Sequence, residues 1–594
     1  MPELYSDALS RGPDRKLYNY KSDGQWKSIS YQEAYDMFSI LGFGLLSLGL
    51  EGMDKVGILS ENRPEWCLFD WTCAHFGFPS VPIYQTSIPK QIEYIINDSE
   101  CKLLVVSNQE QLKKVISLKE RIKSLEYVIL LEETKREEEW IISYSDFIEM
   151  GKKAKENSKL TMDDHVKKIK ANDLWSIIYT SGTSGDPKGV LLTHFNAAAN
   201  VQQTQAHTMF KANKRWLSFL PLSHSFERTT SLFSLWVGAE IYFAESIAKV
   251  AENLKEVKPH HMTTVPRLLE KIYSTIIEQV LAGPAAKQEI FNWAQRVGHK
   301  AANKYLIYNK TPIGPLAIKY SLAKRLVFNK ISAIFGGEFI RCISGGAPLA
   351  PEIGEFFLMA GICVQEGYGL TEMSPVTHAN LEKHLKFGTV GKAIPDLKTK
   401  IAEDGEILLN GPNRFSGYHK NPEETAEAID KDGWFHTGDI GFVDEDGFLK
   451  ITDRKKNIII TAGGKNIAPA GVEQEICASK YIEQAIVIGD RQKYLVAIVV
   501  PSLEIIQKWG KKQNPALEFE NYQEVALSKD VEKLIRDELD KKQEGLARYE
   551  QIKYFFIAPQ AFTIETGELT ASMKVKRNEI IDKYRLEIEE LYNN

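Results

Sequence analysis

The sequence predicts an α/β protein whose large N-terminal part contains mostly parallel, buried sheets and whose smaller C-terminal part mixes strands and helices. Short apolar runs alternate with amphipathic helical segments through residues 1–452, which is typical of α/β architecture. The pattern of apolar and charged residues changes after Asp453, where charged helical stretches predominate. The length of 594 residues also exceeds one domain of about 100–200 residues, so we expect at least two packed units.

Individual elements follow from the hydrophobic pattern. A helix is predicted over Tyr31–Leu48, where apolar residues recur near i, i+3, i+4 and i+7. Four short apolar runs bounded by polar turns predict buried strands, at Val56–Leu59, Leu103–Val106, Tyr127–Leu131 and Ser176–Tyr179.

The later part of the chain predicts different units. Close turns around a short strand over 405–409 make Gly388–Gly417 a small barrel or an antiparallel subdomain. The C-terminal part should hold two strands and two charged helices, at Tyr494–Pro501, Tyr554–Ile557, Asp530–Leu546 and Val575–Leu591. We place the domain boundary within Asp453–Asn457.

Composition excludes several classes of protein. The chain is 43% hydrophobic and 26% charged, which argues against a disordered, collagenous or coiled-coil protein. A net charge of −5 is too balanced for a protein whose whole surface binds nucleic acid. No apolar run reaches the ~18 residues of a membrane span, and no secretory signal is visible. Six cysteines without a C-x-x-C pair predict core thiols in the cytoplasm.

One segment departs from this average charge. Lys271–Lys330 contains ten basic and two acidic residues, a formal charge of +8, with interleaved aromatic residues. A solvated helical face explains this pattern, and so does a reversible contact with an anionic membrane surface or another polyanion.

The strongest motif is a loop of hydroxyl residues and glycines between two apolar runs. Its residues are Thr180, Ser181, Gly182, Thr183, Ser184 and Gly185, followed by Lys188. Glycines let backbone N–H groups turn inward, the hydroxyls add donors and the lysine adds charge, so the loop suits phosphate binding. No Ser or Thr follows Lys188, so this is not a Walker A loop. An ordinary flexible loop is the alternative.

This loop resembles the phosphate-binding signature of the adenylate-forming (AMP-binding) enzymes. Other segments that resemble motifs of that superfamily follow in its order: Leu220–Arg228, Ser344–Leu349, Gln365–Glu372, Trp434–Asp439, Asp453–Ile458 and Leu569–Arg577. Three more segments and a long helical insert resemble the long-chain fatty acid–CoA ligases: Asn62–Trp66, Val81–Tyr84 and Val265–Tyr273.

The resemblance implies a large N-terminal domain, residues 1–452, with two α/β sheets and a small barrel-like subdomain. A basic helical insert would span about residues 271–335. Residues 453–458 would form a hinge, and residues 459–594 a small, mobile α+β domain. The implied reaction joins a long-chain fatty acid to CoA, consuming ATP and requiring Mg²⁺.

The resemblance also assigns the phosphate and metal ligands. Lys188 and the Thr180–Gly185 loop would hold the β- and γ-phosphates, and Glu372 with Ser181 would bind Mg²⁺. Glu372 could otherwise be a surface carboxylate. The adjacent Thr371 joins Glu372, Lys188, His224 and Lys574 in the implied catalytic set.

Other residues would bind the nucleoside. Asp439 can accept hydrogen bonds from the ribose hydroxyls, although a turn-capping role is the alternative. Arg454 would contact ribose or phosphate, or form only a surface salt bridge. Tyr368 would flank adenine, unless it is a core aromatic. The remaining residues of the implied AMP site are Gly346, Ala347, Pro348, Glu366, Gly367 and Gly369.

Two residues would act on the acid. His224 would position the carboxylate or gate the acyl tunnel, although a buried histidine in an apolar run also serves a core. Lys574 would bridge the carboxylate and the α-phosphate, and a register shift would give this role to Lys576 or Arg577.

The second half-reaction would use another conformation of the C-terminal domain. Asp453 and Lys456 lie at the implied hinge, and Gly463, Gly464 and Lys465 would lie near CoA. Ile460 stands where relatives often carry a lysine. A fatty acyl-AMP ligase that serves a carrier protein, a ligase for a different acid and a silent lipid-binding relative are the alternative functions. The sequence leaves the oligomeric state open.

Overall fold

The strands alternate with helices along most of the chain. The computed structural model describes residues 1–132, 138–180, 186–570 and 574–593. The strands in chain order are β1 Lys16–Ser22, β2 Gln25–Ser30, β3 Lys55–Leu59, β4 Ser80–Ile83, β5 Cys101–Val106, β6 Tyr127–Leu130, β7 Ile141–Ser143, β8 Leu174–Thr180, β9 Lys188–Thr193, β10 Arg215–Ser218, β11 Glu240–Phe243, β12 His261–Thr264, β13 Arg341–Ser344, β14 Cys363–Gly369, β15 Val376–Ala379, β16 Lys392–Ala393, β17 Lys398–Ile401, β18 Glu406–Asn410, β19 Gly417–Tyr418, β20 Phe435–Val443, β21 Leu449–Arg454, β22 Ile459–Ile460, β23 Asn466–Ile467, β24 Ile482–Ile488, β25 Leu495–Pro501 and β26 Ile552–Ile557.

The first helix begins at residue 2 and the last one ends at residue 593. In chain order they are α1 Pro2–Ser10, α2 Tyr31–Ser47, α3 Pro64–Phe76, α4 Pro89–Ser99, α5 Gln109–Ile116, α6 Tyr144–Asn157, α7 Met162–Val166, α8 His194–Thr208, α9 Ser225–Val237, α10 Val250–Val257, α11 Pro266–Leu281, α12 Ala285–Lys304, α13 Gly314–Ala323, α14 Asn329–Ile334, α15 Pro351–Met359, α16 Pro422–Ala428, α17 Pro469–Cys477, α18 Leu503–Gly510, α19 Tyr522–Leu527, α20 Lys529–Lys542, α21 Arg577–Lys583 and α22 Arg585–Asn593.

Two large sheets form the N-terminal part, as the sequence predicts. One has eight strands in the order β19-β9-β8-β4-β3-β5-β6-β7, and the other has nine in the order β16-β15-β14-β13-β12-β10-β11-β1-β2. Their central strands pair in parallel; three of the four edge strands are antiparallel, and the fourth, β7, pairs in parallel with β6. The predicted helix and the four predicted strands are present as α2, β3, β5, β6 and β8.

The two sheets are joined by a buried ion pair. Arg228 of α9 donates from Nε to Asp70 of α3 over 3.0 Å and also bonds the hydroxyls of Ser80 and Ser176. Its guanidinium lies 3.8 Å from the ring centroid of Trp175. Pairing, hydrogen bonding and stacking together compensate this buried cation for its lost hydration.

A third sheet occupies the region for which the sequence predicts a small barrel or an antiparallel subdomain. Strands β17, β18, β20 and β21 form a four-stranded antiparallel sheet, the second of those alternatives. Its last strand includes Asp453 and Arg454, and a 3-10 turn over Lys455–Asn457 leads into the C-terminal part.

The C-terminal part contains a three-stranded sheet, β24-β25-β26, with helices around it. The predicted strands are present as β25 and β26, and α20 begins one residue before the predicted helix and ends at Lys542. The prediction of one helix over Val575–Leu591 is wrong, because α21 and α22 are separated at Tyr584. Tyr584 leaves the helical dihedral angles, with φ of −104° and ψ of +29°, yet it stays on the same buried face as Ile580 and Ile588.

The basic segment forms the helices α11 to α14. They pack on α15 and on one face of the nine-stranded sheet, over β10, β12, β13 and β14, through a core that includes Phe291, Phe328 and Phe356. Of the helices in the described ranges, none combines the length and the apolar character that crossing a membrane requires.

Candidate active site

The predicted phosphate loop connects two antiparallel strands. Thr180 ends β8 and is the register partner of Lys188, which begins β9. Both residues therefore lie at the mouth of the loop, with their backbones fixed by the sheet. Ser181, Gly182, Thr183, Ser184 and Gly185 lie outside the described residues.

Strand β19 brings two further side chains to Lys188. It pairs with β9, with Tyr418 opposite Val190, and α16 follows directly. Lys188 Nζ lies 2.7 Å from Glu424 Oε2 and 5.3 Å from the ring centroid of Tyr418. The lysine is thus held at the loop by a carboxylate and an aromatic face.

Glu372 belongs to the same group of residues. Its Oε1 accepts a hydrogen bond from the Tyr418 hydroxyl over 3.0 Å, which orients the carboxylate. The preceding residue, Thr371, lies with its Oγ1 3.1 Å from Ser225 Oγ at the start of α9. The Thr371–Met373 turn belongs to the nine-stranded side, so the Glu372–Tyr418 bond joins it to the eight-stranded sheet.

Asp439, Arg454 and Tyr368 form one hydrogen-bonded group. Asp439 lies opposite Arg454 across β20 and β21, and its Oδ1 is 2.7 Å from Arg454 Nε. Its Oδ2 accepts from the Tyr368 hydroxyl over 2.5 Å. Burial raises the pKa of Asp439, against the effect of the Arg454 charge. Each oxygen keeps a second lone pair, so the carboxylate can still accept from two hydroxyls of a ligand.

The predicted adenine-side loop follows β13. Gly346, Ala347 and Pro348 are exposed there, and Gly346 has a φ of +84°, which favours glycine. Glu366 is buried on β14 and accepts from the backbone N–H of Leu349, 3.4 Å away, and of Gly388, 3.3 Å away. Glu366 therefore positions the loop from behind, and burial raises the pKa of its carboxyl to about 7.

The end of β14 fixes the position of Tyr368. Gly367 lies before it, and Gly369 after it packs on backbone: a Cβ at Gly369 would lie 2.1 Å from the carbonyl oxygen of Pro375. Only glycine fits so close to the Pro375 backbone. Strand β14 ends at Gly369, which leaves a short connection from Tyr368 to Thr371.

His224 is a neutral donor at the start of α9. Its Nδ1 accepts the Phe226 backbone N–H over 3.1 Å, so the ring proton lies on Nε2. Burial, together with the Lys574 charge, lowers the pKa of His224 to about 3. Its ring lies 6.4 Å from that of Tyr84 at an angle of 70°. His224 therefore offers one N–H and an apolar ring face, and it is not a general base at neutral pH.

Lys574 comes from the C-terminal part and lies among the N-terminal residues. The Thr570 N–H donates to the Lys574 carbonyl over 2.8 Å, and the Lys574 N–H donates to Thr570 Oγ1 over 3.0 Å. Water reaches the side chain, but partial removal from solvent lowers its pKa, and the Arg454 charge adds to this. Asp439 and Glu372 act in the opposite direction. Lys576 is instead the N-cap residue of α21, and Arg577 binds Glu473, so neither occupies this place.

The predicted hinge residues Asp453 and Lys456 lie where the chain leaves the third sheet and enters the C-terminal part. Asp453 is buried, and its Oδ2 accepts the Ala470 N–H over 2.9 Å at the start of α17. Lys456 lies within range of both the Arg454 and Lys188 charges, which lower its pKa after the effect of burial.

Gly463, Gly464 and Lys465 do not join the residues around Lys574. They form an exposed turn between β22 and β23, closed by hydrogen bonds between Thr461 and Lys465. Lys465 lies 5.7 Å from the ring centroid of Tyr549, in the C-terminal part. Ile460 is half-exposed on β22.

The donor set suits a metal ion only in the presence of further ligands. Within the described ranges, no group of three or more His, Cys, Asp or Glu residues is arranged to hold a metal. Glu372 supplies a single oriented carboxylate, and Mg²⁺ commonly binds one or two carboxylates together with phosphate oxygens and water. The residues therefore fit an ion that a nucleotide would bring.

Sequence reasoning missed Tyr418 and Glu424. The residues are distant in sequence from both Lys188 and Glu372, and they approach only because β19 pairs with β9. An aromatic residue after Gly417 is the only local signal, and it carries no information about that pairing.

The chain matches known families over nearly all its length. The sequence model described as AMP-binding enzyme matches residues 6–419, and the one described as AMP-binding enzyme C-terminal domain matches residues 456–594. A long-chain-fatty-acid–CoA ligase of Mycobacterium bovis is 35% identical over 589 residues, 98% of this chain and 95% of the relative. Long-chain-fatty-acid–CoA ligase 1 of Homo sapiens is 32% identical over 97% of this chain and 84% of the relative.

Solved structures share the fold. The adenylation domain of a carboxylate reductase from Mycobacterium chelonae superimposes with a TM-score of 0.74 at 21% identity, covering 100% of this chain and 91% of that chain. A fatty acyl CoA synthetase of Mycobacterium tuberculosis gives a TM-score of 0.62 at 20% identity, covering 99% and 98%.

Proposed function

This chain belongs to the AMP-binding enzyme family, and on that premise we propose that it is an ATP-dependent long-chain fatty acid–CoA ligase. It would convert a fatty acid, ATP and CoA into acyl-CoA, AMP and pyrophosphate. The curated relatives that carry this activity in their names match nearly the full chain. The observation that carries the proposal is the set of contacts among residues predicted for the nucleotide: Asp439 bonds Arg454 and Tyr368, and Glu372 accepts a hydrogen bond from Tyr418 beside Lys188.

The first step needs positive charge at the α-phosphate. A carboxylate oxygen attacks the α-phosphorus, an acyl–phosphate bond forms and pyrophosphate leaves. Negative charge develops on the phosphorus oxygens and on the leaving group, so fixed cations lower the barrier. Lys574 would act at the α-phosphate and carboxylate, where the nucleotide's charge favours its ammonium form. Lys188 would act on the leaving pyrophosphate.

The nucleoside would bind across the third sheet and the end of β14. Asp439 would accept from the ribose hydroxyls while Arg454 and Tyr368 hold its orientation. Adenine would lie between Tyr368 and the Gly346–Pro348 loop, which Glu366 supports. His224 would donate from Nε2 to the carboxylate of the acid.

Glu372 would hold Mg²⁺ together with phosphate oxygens. Tyr418 orients the carboxylate for this role. The ion would offset phosphate charge during bond cleavage.

The second step would follow a rotation of the C-terminal domain, which withdraws Lys574 and admits the CoA thiol. The thiol sulfur attacks the acyl carbon, and AMP leaves. The hinge would lie at residues 453–458, between a domain of residues 1–452 and a mobile one of residues 459–594. Gly463, Gly464 and Lys465 form an exposed turn on the moving part, available to contact CoA after rotation.

Product analysis tests this function. The purified chain is incubated with ATP, Mg²⁺ and fatty acids of increasing length, with and without CoA, and AMP, pyrophosphate and acyl-CoA are quantified. We expect AMP, pyrophosphate and acyl-CoA in equal amounts, and a rate of product formation about 100- to 1,000-fold lower from Lys574→Ala. ADP and phosphate as products would overturn the adenylation mechanism. Acyl-AMP that CoA does not consume would instead indicate transfer to a carrier protein.

A reversible contact with an anionic membrane surface belongs to the same proposal. Long-chain acids partition into bilayers, so docking would place the enzyme at its substrate. The basic helices α11 to α14 supply the charge for such a contact.

A further inference from the structure

Four apolar side chains are exposed along one helical ridge of the basic insert. Helix α13 continues through a π-helical turn, Lys324–Phe328, into α14. Ile318, Leu322 and Leu326 lie four residues apart on it, with exposed fractions of 75%, 48% and 41%, and Ile313 just before the helix is 68% exposed. The opposite side is buried through Ala323, Phe328 and Ile331. The exposed residues thus form a stripe, since side chains four apart share a helix face.

The same helix also exposes four basic side chains, Lys319, Lys324, Arg325 and Lys330. The chain has no Asp or Glu between Glu289 and Glu338. In the described part of the structure, no carboxylate lies within 4.0 Å of any of these four cations. We call the four apolar and four basic residues together the α13 face.

This pattern matches the interface of an anionic bilayer better than ordinary protein surface. Isolated exposed apolar residues are common, but a contiguous row with a charged border marks an interaction site. A helix that lies in a membrane interface has one apolar stripe with Lys and Arg beside it, and lipid phosphates compensate those charges. A protein partner would have to supply many carboxylates to match the same charge.

We propose that the α13 face is the surface by which this chain adsorbs to anionic lipid bilayers. Ile313, Ile318, Leu322 and Leu326 would enter the headgroup region, and the four cations would lie among the lipid phosphates. Adsorption is a property of the surface alone; its use, access to membrane-dissolved fatty acid, rests on the proposed function. The contact is peripheral and reversible, and ionic strength weakens it.

Vesicle sedimentation tests the surface directly. The full chain, without ATP or CoA, is mixed with vesicles of phosphatidylcholine alone or with 30% phosphatidylglycerol (about one anionic lipid in three, a strongly anionic surface). We expect binding only to the anionic vesicles, and weaker binding as salt rises. Each Lys or Arg near such a surface contributes about fivefold, so the quadruple variant Lys319→Gln, Lys324→Gln, Arg325→Gln, Lys330→Gln should bind at least about tenfold more weakly.

A second variant separates the apolar stripe from the charge. Ile318→Ser combined with Leu322→Ser leaves the charge unchanged, and we expect weaker binding that persists at low salt. Matched controls change equal numbers of exposed residues elsewhere: Lys153→Gln, Lys155→Gln, Lys511→Gln and Lys512→Gln for the charge, and Leu527→Ser with Leu586→Ser for the stripe. The controls should bind as the unmodified chain does.

Three results with the variants and controls would overturn the proposal, and so would an absence of vesicle binding by the unmodified chain. One is binding by both α13-face variants at the level of the unmodified chain. Another is equal loss in the controls, which would indicate nonspecific adsorption. The third is a dimer in solution that Ile318→Ser and Leu322→Ser dissociate while vesicle binding is absent, since the face would then join two copies. Acyl-CoA formation without vesicle binding would refute this surface and leave the proposed function intact, whereas vesicle binding without acyl-CoA formation would do the reverse.

Discussion

Lys188 Nζ lies 2.7 Å from Glu424 Oε2, so a carboxylate occupies the position beside this lysine that a nucleotide phosphate would take. Both side chains are about one third exposed, with values of 35% and 37%. An ion pair this accessible to water contributes about 0.2–1 kcal/mol. Phosphate can therefore displace Glu424 at small cost, and the pair keeps Lys188 oriented in the meantime.

Glu424→Gln should strengthen ATP binding. Removing the competing charge lowers the KM for ATP by up to about fivefold, the equivalent of 1 kcal/mol, with little change in kcat. Lys188→Gln should act in the opposite direction and also lower kcat, because the charge on the leaving pyrophosphate is lost. Steady-state kinetics with varied ATP measure both effects. Glu423→Gln, one residue away and exposed, is the control; a raised KM in Glu424→Gln would show that the carboxylate orients Lys188 productively.

Lys574→Ala should separate the two half-reactions. Acyl-AMP formation should fall by about 100- to 1,000-fold, the range for one charged or hydrogen-bonding group at a developing oxyanion. Conversion of preformed acyl-AMP to acyl-CoA should change little, because the lysine would then lie outside the cleft. Single-turnover assays of each half-reaction measure this. Lys576→Ala is the control for register, and equal loss in both half-reactions would make Lys574 structural.

Local motifs carried most of what the sequence could reveal about the site. Thr180 and Lys188 are neighbours through one hairpin, and Asp439 and Arg454 lie in adjacent strands, so short-range patterns locate them. Tyr418 and Glu424 reach Lys188 through the β19–β9 pairing, and no periodicity encodes that contact. Glu366 also lies behind the adenine-side loop, where only the fold could place its hydrogen bonds.

The fold likewise has parts that the local sequence pattern predicts and parts that it does not. Runs such as Val56–Leu59 become buried parallel strands because every side chain there is apolar. The C-terminal helix pattern is interrupted at Tyr584, although Ile580, Tyr584 and Ile588 share one buried face across the break. Apolar periodicity therefore predicts which side chains are buried, but it carries no information about a single residue whose backbone leaves the helical dihedral angles.

Glu372→Gln should weaken adenylation mainly at limiting Mg²⁺. The amide keeps an oxygen that can accept from Tyr418, but it lacks the charge that binds a hard cation. We expect a several-fold higher Mg²⁺ concentration for half-maximal rate. Tyr418→Phe keeps the charge and removes the 3.0 Å hydrogen bond, so its effect should be smaller and in the same direction. Titration of the adenylation rate with Mg²⁺ compares them, and identical curves for Glu372→Gln and the unmodified enzyme would exclude Glu372 from the metal site.

His224 should contribute no limb to the pH profile near neutrality. Its pKa of about 3 keeps the ring neutral across the working range, and the Phe226 N–H already occupies Nδ1. His224→Gln should lower the adenylation rate by loss of a placed donor, yet leave the shape of the kcat/KM profile between pH 6 and 9 unchanged (the span about an ordinary histidine pKa of ~6.5). Disappearance of an acidic limb near pH 6.5 in this variant would show instead that His224 titrates during catalysis.

Glu227→Gln should alter how stability depends on pH. Glu227 is buried in α9 and bonded to Thr263, and burial raises the pKa of its carboxyl to about 7, against an ordinary value near 4.3. Between these values the folded chain binds more protons than the unfolded chain, so the free energy of unfolding falls as pH rises. The stabilisation is fully present below about pH 4.3 and is lost above about pH 7, amounting to about 4 kcal/mol. Glutamine carries no charge at any pH, so the variant should lose less stability between pH 5 and pH 8 than the unmodified chain. Thermal shift measurements of both proteins at both pH values test this, because every other titrating group is common to the two and cancels. Equal losses in the two proteins would mean that Glu227 keeps an ordinary pKa in the fold.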